Sequence, residues 1–138
     1  MINKYLEIMF KSQLEIEYLQ KRLTQAKNHL TNLYITNNDK LTKLESYKEQ
    51  YVNTINSINF DEDKDVYITK KSLLNYIIAQ MNYLKTLISF NYSLIYEYEN
   101  EIKEIENFIN FYKNTIEKCN LLRETDEQKV FEKIKAQA

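Results

Sequence analysis

The stretch NFDEDKDVYITKKS, residues 59–72, carries four acidic side chains in five positions: Asp61, Glu62, Asp63 and Asp65. Three of them copy the first ligands of an EF-hand calcium loop. The rest of the loop is missing. Its sixth position needs glycine for a sharp bend and is Val66, and its twelfth needs a bidentate glutamate and is Ser72. The stretch therefore reads as a turn. Asn59 suits the left-handed conformation that ends a helix, and Asp65 suits the cap of the next one. Acidic side chains are also favourable just ahead of a helix N-terminus.

Elsewhere the chain has no means of turning. It has 138 residues with no glycine and no proline, where average usage would supply roughly ten and seven. Sheets, barrels and α/β folds use both residues in their connections. Long helices with few connections remain, so the fold class is all-α. Charge is balanced, with 19 basic and 20 acidic residues interspersed, which argues against a nucleic-acid partner. No apolar run reaches the roughly 18 residues of a membrane span, and the charged start MINKYLEIMFKSQLEIEYLQ does not read as a secretory signal. A single cysteine, Cys119, fits a reducing compartment. The expectation is a cytoplasmic helical protein without direct membrane insertion.

Working outward from the turn, each half of the chain is one unbroken heptad run. With Ile2 at a, the a positions continue Met9, Ile16, Leu23, Leu30, Asn37, Leu44, Tyr51 and Ile58, and only Asn37 is polar. With Leu74 at a, the second run continues Met81, Ile88, Ile95, Ile102, Ile109 and Ile116, with d positions Ile77, Leu84, Asn91, Tyr98, Ile105, Tyr112 and Cys119. Repeats this long indicate coiled-coil helices. The next a and d residues are Arg123 and Asp126, so the last turns from about Arg123 are expected to be frayed or dependent on a partner. The reading is a single antiparallel coiled-coil hairpin over 1–138, with arm one at about 2–58, a turn at about 59–66 and arm two at about 67–133.

A hairpin centred on residue 64 pairs positions that sum to 128. That rule sets Leu44 on Leu84, Leu23 on Ile105 and Leu19 on Ile109. It also sets Asn37 on Asn91, the one polar a residue on the one polar d residue in the body of its arm. A buried asparagine pair costs stability but disfavours slipped registers, in which each amide would face an apolar side chain. Arms of roughly 57 residues would make a rod about 85 Å long at 1.5 Å per residue.

Apolar residues off this seam ask for another partner. Near the N-terminus these are Leu6, Ile8, Phe10, Leu14 and Tyr18, faced near the other end by Leu121, Leu122 and Phe131. On arm two, Tyr76, Tyr83 and Phe90 recur at one outer heptad position, flanked by Leu73, Leu87 and Leu94. A distinct partner and a second copy forming a four-helix bundle both satisfy such a stripe. Catalytic chemistry finds no constellation. His29 is a lone flanking residue, Cys119 a seam thiol, and a rod offers no concave site. No enzyme, cofactor or metal is expected.

The segment LTKLESYKEQYVNTINS before the turn, with its Leu-x-x-Tyr-x-x-x-Tyr pattern, and LLNYIIAQMNYLKTLI after it resemble the FliJ family. FliJ is a flagellar export protein, and its injectisome relatives are the YscO (SctO) proteins. The less charged, more aromatic arms here are more similar to the injectisome branch. The resemblance implies the central stalk of a type III secretion ATPase, similar to the γ subunit of rotary ATPases and peripheral to the inner-membrane apparatus. Its paired termini would enter a hexameric ATPase, and its turn end would face an export-gate membrane protein. Some members also bind export chaperones. By this resemblance Leu44, Tyr47 and Tyr51, with Tyr76 and Tyr83 on the second arm, would contact the gate. Leu6, Phe10, Leu14, Tyr18, Leu122, Arg123 and Phe131 would be the ATPase contacts. The heptad register instead sets Tyr47 and Tyr51 in the seam, and both roles stay open. An export chaperone or holdase and a self-associating scaffold are the competing readings.

Overall fold

Two helices account for nearly all of the structure, a computed structural model that describes residues 2–137. The Ile2 side chain, the first a position, lies outside what is described. Helix α1 spans Ile2–Asn56 and helix α2 spans Lys64–Gln137. Threonine is a mediocre helix former because its hydroxyl competes for backbone partners. Here Thr24, Thr36, Thr42, Thr54, Thr69, Thr86, Thr115 and Thr125 each donate to the carbonyl four residues back. The hydroxyls are thus satisfied within the helix rather than against it.

The connection, residues 57–63, differs from expectation in its chemistry. No described residue has a positive φ, so Asn59 does not end α1 in a left-handed conformation. The helix tightens instead. The Ser57 amide is shared between the carbonyls of Asn53 and Thr54, and the Ile58 amide reaches Ile55. The Ser57 hydroxyl donates to Thr54 as well, at 2.6 Å. From α2, the Lys70 ammonium donates to the Ser57 carbonyl at 2.6 Å and pairs with the Glu62 carboxylate. One side chain thereby satisfies a terminal carbonyl of one helix, places a cation at its negative end and holds the loop. The cap of α2 falls at Asp63, whose carbonyl accepts the Tyr67 amide at 3.0 Å. Asp65 is not the cap. It lies in the first helical turn, where its charge favours the dipole.

At the other end helix α2 runs on through Arg123 to Gln137, four residues past the expected end of the arm. The two polar residues that interrupt the heptad are only partly satisfied, since Arg123 Nε and Asp126 Oδ2 stay buried without a hydrogen-bond partner. Arg123 donates to Asn120 at 2.9 Å, and Asp126 is hydrogen-bonded by Tyr5. Beyond Asp126 every described side chain is exposed.

The chain packs as two compact units, one of residues up to Asn28 together with those from Tyr98, the other of His29–Glu97. In the second unit, Leu44 packs with Leu84 and Ile88, and Leu41, Tyr47 and Met81 close around them. Tyr47 meets Tyr76, and Asn91 donates to Asn37 at 3.4 Å with both residues buried. Positions falling along α1 meet positions rising along α2, so the helices run antiparallel. The first unit follows the same order. Ile16 and Leu19 pack with Ile105 and Ile109, joined by Leu23, Tyr112 and Ile116. Its flanking ion pairs are Arg22–Glu101 at 3.1 Å and Lys27–Glu106 at 3.8 Å. Both pairs are largely exposed, so each is worth at most about 1 kcal/mol. The seam is the larger contribution, at about 1.5–3 kcal/mol for each fully buried aliphatic side chain.

Candidate interaction surfaces

A coiled coil buries one stripe of each helix, and what it leaves uncovered is where a partner can act. In the unit His29–Glu97 the residues named by the family resemblance separate into three kinds. Leu44 is only 6% exposed within its core cluster, which removes it from any contact surface. Tyr47 and Tyr51 are half-buried seam residues. The Tyr47 ring packs on the leucine cluster while its hydroxyl bonds Tyr76, and that bond, with burial, raises the Tyr47 pKa. Tyr76 and Tyr83 are more than half exposed, as is Phe90.

The first unit presents Leu6, Phe10, Leu14, Tyr18, Leu122 and Phe131 as exposed side chains, Phe10 at 66%. Arg123 belongs elsewhere. It is half-buried, bonded to Asn120 and within 4.0 Å of Glu127, so it is a structural residue of the seam's end. Burial raises the Tyr5 pKa, and the facing Asp126 carboxylate adds to this.

Among the exposed aromatics that went unread in the sequence are Phe108, Phe111 and Phe60. Phe108 and Phe111 line a shallow groove of about 470 Å³ with Glu104 and Asn107. Phe111 shares the heptad position of Tyr76, Tyr83 and Phe90 three repeats beyond Phe90, so extending that column would have found it. Phe60 stands wholly exposed in the turn, where the acidic residues around it dominate the sequence. Among the described residues, no three His, Cys, Asp or Glu side chains are placed to hold a metal, and no helix is long and apolar enough to cross a membrane. Cys119 is a buried free thiol.

Comparison with known proteins adds no relative: no family model, curated protein or solved structure matches the chain.

Proposed function

We propose that this protein is a non-enzymatic coupling protein, the central stalk of a type III secretion export ATPase of the flagellar or injectisome kind. One observation supports a coupling role above others. Each compact unit carries exposed apolar residues that its own helix pair leaves uncovered, Phe10, Leu14 and Tyr18 in one and Tyr76, Tyr83 and Phe90 in the other. Two such surfaces suit a protein that binds two partners. The FliJ-like segments on either side of the turn give those partners their identity: a hexameric ATPase for the first and an export-gate membrane protein for the second. The work would be done in the cytoplasm beside the inner membrane. Leu44 and Arg123 drop out of the contact set, the one buried and the other held in the seam.

The test is ATPase stimulation. The wild-type chain should co-purify with the hexameric secretion ATPase of its own cell and raise its hydrolysis rate. A Phe10→Glu/Leu14→Glu variant should lose that stimulation by about tenfold or more, as loss of buried apolar anchors does, at unchanged helix content. No co-purification by the wild type would refute the stalk reading. Full stimulation by the double variant would refute the terminal contact.

A further inference from the structure

Between Ser72 and Tyr96, helix α2 carries a single charged residue, Lys85, in a chain that is 28% charged. A helix face meant for water is normally laced with charge. The uncharged stretch also contains a second seam. Leu73, Tyr76, Gln80, Tyr83, Leu87 and Phe90 follow one another at alternating spacings of three and four. That is the spacing by which a and d form the first seam. These residues occupy positions g and c, adjacent on the helix surface. Leu73 is 45% exposed, Tyr76 54%, and Tyr83 and Phe90 61% each. Lys85 falls at e, on the side of the helix away from this seam. The bordering f positions, Ser72, Ala79, Thr86 and Ser93, are small enough to let another helix come close.

We propose that this face is covered by the same face of a second copy of the chain, with the two α2 helices antiparallel about a two-fold axis. Such an interface needs a self-complementary patch, and the seam is one. If positions summing to 163 pair across the axis, Leu73 meets Phe90, Tyr76 meets Leu87, and Gln80 meets Tyr83. Each apolar contact sets a ring against an aliphatic side chain. The one amide faces a phenol that can bond it. A slip of one heptad in one direction sets Gln80 on Phe90 with no partner, and in the other runs Leu87 out onto Thr69. An uncharged face also lets two copies meet without repulsion. Three half-exposed rings and their flanking leucines would bury about 1,000 Å² for the pair, near the lower bound for a specific interface. The dimer is therefore reversible. It does not depend on the stalk reading; if a single copy acts in the ATPase, the dimer is the resting form.

Light scattering and sedimentation equilibrium on the full chain test this directly. The mass should rise from 16.7 kDa toward twice that value across roughly 1–100 μM, the range of a small interface. Tyr83→Glu should weaken the dimer by about tenfold or more, the loss expected of a central anchor, with helix content unchanged. Phe10→Glu should leave it intact. In a Cys119→Ser background, Leu73→Cys/Phe90→Cys should form disulfides between chains, while Leu73→Cys/Leu94→Cys should not. A monomer at every concentration would overturn the proposal, as would a dimer that survives Tyr83→Glu or is lost with Phe10→Glu. Crosslinking by the second cysteine pair and not the first would overturn the register.

Discussion

Asn37 and Asn91 show how a polar pair specifies a helix pairing. Each is buried, and each amide has the other as its partner across the seam. Replacing one alone, as in Asn37→Leu, leaves Asn91 facing an apolar side chain. It should cost about 1–3 kcal/mol, the penalty of an unsatisfied buried group. The double variant Asn37→Leu/Asn91→Leu should instead melt above wild type, since a packed apolar pair replaces two desolvated amides. Thermal melts of the three proteins check this, and a double variant less stable than Asn37→Leu would contradict it. Tyr47 adds a pH dependence. Its phenol holds its proton more tightly in the folded chain, through the bond to Tyr76 and burial. The resulting stabilisation is complete below the unfolded tyrosine value of about 10 and fades as pH rises through the higher folded value. Urea midpoints should fall above about pH 10 in wild type and fall less in Tyr47→Phe. Equal alkaline slopes would exclude the bond as the cause.

At the scale of elements, both helices and the pairing of Leu44 with Leu84 and Asn37 with Asn91 could be read from spacing alone. Heptads repeat, and an antiparallel turn leaves one free number to fix. What spacing could not supply was the chemistry of the ends. Asn59 and Asp65 were expected as caps from their propensities, but the terminus of α1 is satisfied by Ser57 and by Lys70. Lys70 lies 13 residues further along the chain, beyond the reach of a local rule. The same holds for Asp126, whose partner Tyr5 is supplied by the other helix. Lys70→Met removes the donor and leaves Glu62, whose side chain is only 9% exposed, as an unpaired carboxylate. The variant should lose about 1–3 kcal/mol. Glu62→Gln in the same background should restore part of this. Chemical denaturation of the single and double variants measures both, and additive losses would show that the two side chains do not act as a pair.

For the whole molecule, the surfaces were less legible than the seam. The columns holding Tyr76, Tyr83 and Phe90 are visible in the sequence because they keep a heptad period, but nothing in a period tells which partner covers them. Leu44 illustrates the converse. A family motif can name a residue that the packing buries. The single connection has a further consequence, for the order in which the chain assembles. Contacts that close the hairpin span 13 residues at Lys70, 54 at Asn37–Asn91 and 79 at Arg22–Glu101. The entropy of closing a loop rises with its length. Once Lys70 has drawn the helix ends together, each outward pair closes only the short gap left by the one before. Folding should therefore run as a zipper from the turn. Lys70→Met should slow refolding, whereas Ile109→Val should chiefly speed unfolding, a division that stopped-flow kinetics resolves. A protein built this way has its first folding event at residues 57–70, and its last contacts are those of the surface proposed to grip the ATPase.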